Sequence, residues 1–135
     1  MASIHKDIPI NAPAAEVWDA VRDFGALHTR LAPDFVTDCK LEDGARSVTF
    51  ANGTTARELL VDCDDQRRRL VYAVISERVK QHSASAQVIP EGEARCRFVW
   101  ITDVLPHEIA PYVSAQMDAG AAAMQKALSR TKAAV

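Results

Sequence analysis

Glu58, Tyr72 and His82 are the residues of this chain best suited to do chemistry. A carboxylate, a phenol and an imidazole gathered in an apolar pocket would suit proton abstraction beside a carbonyl. Burial raises a carboxyl pKa, and an imidazole already titrates near neutrality. The same groups without turnover would orient a bound molecule, and a buried water network would use them equally well. Other chemistries lack their residues. His5, His28, His82 and His107 show no paired spacing, and the run His107-Glu108-Ile109-Ala110-Pro111 has no second histidine for zinc. There is no Cys-x-x-Cys pair, no glycine-rich phosphate loop and no Gly-x-Ser-x-Gly elbow. Neither a metal nor a cofactor is predicted.

Whether the three residues can meet depends on the strands that carry them. From residue 35 to 104 the hydrophobic period is two, with strands predicted at 35–41, 47–50, 54–63, 70–76, 79–89 and 94–104. The joins Glu42-Asp43-Gly44, Asn52-Gly53, Asp64-Asp65-Gln66 and Glu91-Gly92 carry turn residues, which implies an antiparallel meander. Arg95 and Arg97 must face water, which turns Cys96, Phe98, Trp100 and Thr102 inward. Arg69 outward puts Leu70, Tyr72 and Val74 inside. Gln81, Ser83, Ser85 and Gln87 form a wet face, leaving His82, Ala84, Ala86 and Val88 inward. Strand 54–63 is ambiguous. Apolar counting favours Arg57, Leu59, Val61 and Cys63 inside, the other parity puts Glu58 there, and a bulge would let both contribute.

Before these strands, Ile4, Ile8 and Ile10 mark a short strand. A helix capped by Asn11 follows, with Pro13 in its first turn, Val17, Trp18, Val21 and Phe24 on its apolar face and Gly25 at its end. A shorter helical piece is predicted from 26 to 31. After Pro106 a long helix over 109–131 presents Val113, Met117, Gly120/Ala121, Met124 and Leu128 inward. Six of residues 115–127 are alanine. Such a cover is too thin to fill the space above a sheet, and the alanines at 84 and 86 leave room on the opposite wall. A hollow between sheet and helix is the expectation, walled by Val74, Phe98, Trp100, Met117, Ala121 and Met124.

At 135 residues the chain is read as one α+β domain over 1–135: a curved antiparallel sheet of about seven strands wrapped round the long C-terminal helix, with two short helices after strand one. Its net charge of −2 and locally alternating acids and bases exclude a nucleic-acid face, and Arg67-Arg68-Arg69 reads as a solvated turn. No segment has signal-peptide or membrane-span character, so a cytoplasmic protein without membrane insertion is expected. Cys39, Cys63 and Cys96 are read as reduced core thiols in strands. Exposed sheet edges allow a monomer or a homodimer.

The ordered set Ala14-Ala15-Glu16-Val17-Trp18, Val21 through His28, Gly53 through Glu58 to Asp64-Asp65, Leu70-Val71-Tyr72, Trp100 and the long helix resembles the START-like helix-grip superfamily (SRPBCC), in particular its polyketide cyclase/dehydratase-type group. The resemblance covers essentially the whole chain. It implies a helix-grip fold holding a hydrophobic small molecule, as in hormone receptors, lipid carriers and aromatase/cyclases. Similarity to the abscisic-acid receptors in the Glu58-to-Asp64 spacing implies that Glu58 faces the cavity. Many relatives carry a Trp before the Pro of the second helix. Here Thr29-Arg30-Leu31-Ala32-Pro33 has none, which implies an altered cavity mouth with Arg30 as an anion contact. The function expected is binding of an aromatic, lipid or polyketide-like molecule. The alternative is a polyketide cyclase/dehydratase in which His82 or Glu58 moves protons, with Tyr72 within reach.

Overall fold

The computed structural model of the chain describes residues 2–129. Strand β1 (Ala2–Ile10) leads into helix α1 (Ala14–Arg22), a 3₁₀ turn (Phe24–Ala26) and a wide π-type turn (Leu27–Leu31). The meander β2 (Val36–Glu42), β3 (Ala45–Phe50), β4 (Thr55–Asp64), β5 (Arg69–Ile75), β6 (Gln81–Pro90) and β7 (Cys96–Leu105) follows, and helix α2 (Ala110–Leu128) is the last element among the described residues. One antiparallel sheet runs in the order β1-β7-β6-β5-β4-β3-β2. Sequential hairpins build most of it; β1 alone joins out of order, pairing with β7 from Ala2↔Val104 to Ile10↔Cys96. This is the expected α+β helix-grip, with the sheet curved round α2.

The predicted inward faces of β5, β6 and β7 are the buried ones: Leu70 and Tyr72, then Ala84, Ala86 and Val88, then Cys96, Phe98, Thr102 and Val104. In β4 the parity favoured by apolar counting is reversed. Glu58 is buried while Arg57 is exposed, and Val61 and Cys63 face solvent. The β4–β5 register slips between Leu60 and Asp62, bulging out Val61. Apolar counting failed here because the buried carboxylate has an ionic partner, which hydropathy cannot register.

Three local expectations are corrected. Pro13, not Asn11, is the N-cap of α1. Its extended backbone presents its carbonyl to Glu16 N at 3.1 Å and Val17 N at 3.2 Å, with no side-chain cap. The helix stops at Arg22, and Gly25 lies in the 3₁₀ turn that follows. A Cβ at Gly25 would stand 2.7 Å from Leu41 Cγ, so any larger residue in this turn would have to push the exposed Leu41 side chain of β2 aside. Cys39 and Cys96 are buried free thiols, but Cys63 is exposed because its strand face is outward. On α2 the buried positions are Val113, Met117, Gly120, Ala123 and Met124, with Ala121 half-buried at the edge of that face. Thr131, the expected end of this helix, lies outside the described residues. Among the described residues no helix is long and apolar enough to cross a membrane.

Candidate functional site

A cavity of about 640 Å³ lies between the concave face of the sheet and α2. Val74, Phe98 and Trp100 wall it from β5 and β7, and Met117, Gly120 and Met124 roof it from α2. The hollow expected from the thin helix is therefore present, and at Gly120 the helix comes close to its wall. A Cβ there would stand 3.2 Å from Trp100 Cη2 and Cζ3 and 3.3 Å from Phe35 Cδ2. The missing side chain lets the helix backbone lie close to the indole.

The strongest polar feature of the wall is an ion pair that sequence reasoning half missed. Arg46 and Glu58, at 5% and 6% exposure, stand opposite each other in the β3–β4 register. Arg46 Nε and Nη2 both lie 2.7 Å from Glu58 Oε1, and Nη1 donates to the Phe24 carbonyl at 3.2 Å. The guanidinium also sits 4.0 Å from the Phe24 ring centroid and 5.3 Å from that of Tyr72. Two aromatic faces, a carbonyl and a carboxylate replace the water that both charges lose on burial. A signal for Arg46 existed in the sequence: it shares a period-two face with Val48 and Phe50.

Tyr72 and Trp100 form a second polar element. Trp100 Nε1 donates to the Tyr72 hydroxyl oxygen at 3.1 Å, so the phenol is left to donate its own hydrogen elsewhere. Burial, reinforced by the Glu58 charge, raises the Tyr72 pKa far above the ordinary phenol range and keeps it protonated. His82 also lines the cavity, half-buried, and burial lowers its pKa below the ordinary imidazole value. The neutral ring thus predominates at pH 7.

The sheet brings Glu58, Tyr72 and His82 to one concave surface without closing them into a triad. Glu58 pairs with Val74, and Tyr72 pairs with Ala84, one inward step from His82. Strand β5 lies between Glu58 and His82, a separation of two strand spacings, about 9.5 Å. Arg30 does not line the cavity. It is exposed and bridges Asp19 at 2.6 Å and Asp23 at 2.9 Å, tying the π-type turn to α1. Ala121 packs beside the core and is also absent from the lining. Trp18, read as plain packing, is buried and donates its indole N–H to Asp65 at 2.9 Å.

The cavity has a polar end. Its exposed lining residues, among them Thr54, Thr55, Ser76, Arg78 and Tyr112, come from the β3–β4 and β5–β6 connections and the start of α2. Gln116 and His82 stand just inside them. The segment 29–33, expected at the mouth, instead contributes Leu31 and Ala32 to the buried wall. The β5–β6 connection was missed because a loop carries no periodicity.

Comparison with known proteins agrees with this architecture. The whole chain, residues 1–135, matches the family model for polyketide cyclase / dehydrase and lipid transport. No protein with a curated description matches it. A Thermobifida fusca protein solved by solution NMR is 30% identical, with a TM-score of 0.73 over 90% of this chain and 85% of that one. A START superfamily protein from Mycobacterium smegmatis is 12% identical, with a TM-score of 0.75 over 93% and 96% of the two chains. The di-domain ARO/CYC protein BexL of the BE-7585A biosynthetic pathway is 17% identical, with a TM-score of 0.80 over 94% of this chain and 46% of that one. With the family model spanning every residue and START-like structures sharing the same sheet and helix, the chain belongs to the polyketide cyclase / dehydrase and lipid transport family.

Proposed function

We propose that this protein binds a small hydrophobic molecule, aromatic, lipid or polyketide-like, between the sheet and α2. The observation that carries this reading is the cavity of about 640 Å³, a size typical of small-molecule sites, whose deep charges are already spent on each other. Burying about 300 Å² of apolar ligand surface at ~25 cal/mol per Å² supplies about 7 kcal/mol before the costs of association. Val74, Phe98, Trp100, Met117 and Met124 provide that surface. The free hydrogen of Tyr72 and the imidazole of His82 orient a carbonyl or hydroxyl. Arg30 and Ala121 have no part in it, since neither lines the cavity.

Titration with the neutral fluorescent probe N-phenyl-1-naphthylamine tests the reading. Saturable binding at one site per chain is expected, weakened about tenfold or more by Met117→Trp, which fills the cavity. Absence of probe binding to the wild type overturns it. Mass spectrometry of protein purified from its own host would then identify the natural ligand.

A second reading, a cyclase or dehydratase, is supported by the neutral imidazole of His82 on the wall. In that reading His82 is the base that removes a proton beside a carbonyl, and the protonated Tyr72 donates to the oxygen where charge develops. Glu58 is held by Arg46 in a buried ion pair, so His82 and Tyr72 carry this reading. Turnover of a poly-β-carbonyl substrate that disappears in His82→Ala would favour this reading. Binding without turnover would leave the carrier.

A further inference from the structure

The charges lining the cavity do not balance. Its acidic residue, Glu58, is consumed by Arg46. That leaves Arg78, at the mouth, as a cation with no carboxylate paired to its guanidinium among the described residues. Its backbone N–H is held by Ser76 Oγ at 3.2 Å, which fixes the turn that presents it. Glu77, its neighbour in sequence, and Glu108, beside the lining residue Ile109, do not themselves line the cavity. Around Arg78 the lining is hydrogen-bonding: Ser76 and Thr54 hydroxyls, the Gln116 amide and the His82 ring. The far end, at Leu31, Leu70, Ala86 and Met124, is buried and apolar. The cavity is thus graded from hydrocarbon at its closed end to a single unbalanced positive charge at its opening.

We infer that the ligand is a monoanionic amphiphile, a hydrophobic carboxylic acid whose body occupies the apolar end and whose carboxylate meets Arg78 at the mouth. The inference rests on the cavity-binding reading and adds the chemical class. A guanidinium presents a planar donor fork that matches a carboxylate. Placed at the mouth, it can bind the anion without stripping all of its water. A neutral molecule of the same shape would fill the apolar end equally well and leave the guanidinium with water alone.

The test is displacement of N-phenyl-1-naphthylamine by decanoic acid and by decan-1-ol at pH 8 and low ionic strength, both below their aggregation limits. The acid is expected to displace the probe at about fivefold lower concentration than the alcohol, the upper range for an exposed ion pair. Arg78→Gln should bring the two together by weakening the acid alone, and Arg78→Lys should keep most of the preference. Added salt should narrow the gap in the wild type. The inference is overturned if alcohol and acid compete equally in the wild type, or if the preference survives Arg78→Gln. It also falls if neither competes while the probe binds. A probe that does not bind overturns the cavity reading, and this inference with it. Because Arg78 is exposed, its variants should fold normally, and circular dichroism melts that match the wild type serve as the control.

Discussion

Replacing Glu58 by leucine would leave Arg46 in the cavity wall with its charge uncompensated. The wild-type guanidinium has two 2.7 Å contacts to one carboxylate oxygen, one 3.2 Å bond to Phe24 O and two aromatic faces. After the substitution only the carbonyl and the rings remain, and the cation is almost wholly out of water. Breaking a buried pair from one side costs about 3–5 kcal/mol, whereas replacing both partners with apolar groups is often neutral. For a domain of this size that cost corresponds to a fall in Tm of about 10–20 °C. Glu58→Leu should therefore be severely destabilised. Arg46→Met should be nearly as damaging, since it strands the carboxylate. The Arg46→Met/Glu58→Leu double variant should return to within about 1–2 kcal/mol of wild type. Urea unfolding followed by circular dichroism measures all four corners of the cycle. The reasoning fails if Glu58→Leu costs less than about 1 kcal/mol, or if the two single losses simply add in the double variant. Either result would mean that the charges are hydrated by water in the cavity and that the pair is not what closes this part of the wall.

Three further outcomes follow from the same geometry. Gly120→Val should destabilise by about 1–3 kcal/mol and weaken probe binding, because its branches are forced into Trp100 and Phe35; thermal melts and the naphthylamine titration check both. Burial depresses the His82 pKa, so the unfolded chain takes up its proton first as pH falls below about 6.5. Stability should drop across that window, less so in His82→Gln, as read from urea midpoints between pH 7 and pH 5. Tyr72 is shifted the opposite way, so above pH 10 only the unfolded state loses its proton and stability falls as pH rises. The phenolate absorbance missing from Tyr72→Phe should accordingly appear only well above the ordinary phenol range, or on unfolding.

Much of this site was legible from one sequence because solvated and buried residues alternate cleanly in β5, β6 and β7. Arg95 and Arg97, or Gln81 and Ser83, fix a strand face almost alone, and the faces of Tyr72, His82, Phe98 and Trp100 follow. The alanines and methionines of α2 likewise announced the free volume. Strand β4 resisted because Arg57 and Glu58 are adjacent charges and the bulge at Val61 breaks the alternation that might have separated them. Arg46 was overlooked for a related reason: its burial makes sense only with Glu58, and that partnership is created by strand register. Arg30 was misplaced because its partners Asp19 and Asp23 meet it only when the π-type turn folds against α1.

The out-of-order strand has a consequence for how the protein is made. Strand β1 leaves the ribosome before the other strands of the sheet, yet its partner β7 comes roughly 90–100 residues later, which at typical synthesis rates is about 5–20 s. Until then Ile4, Ile8 and Ile10 sit on a strand with no neighbour, while the β2–β6 meander can already pair with itself. Once β7 emerges, β1 docks along its full length, and α2 follows to cover the hollow. The nascent domain thus carries an unpaired adhesive strand until β7 arrives. Its alternating exposed Ser3, His5 and Asp7 are the residues that keep that strand soluble while it waits.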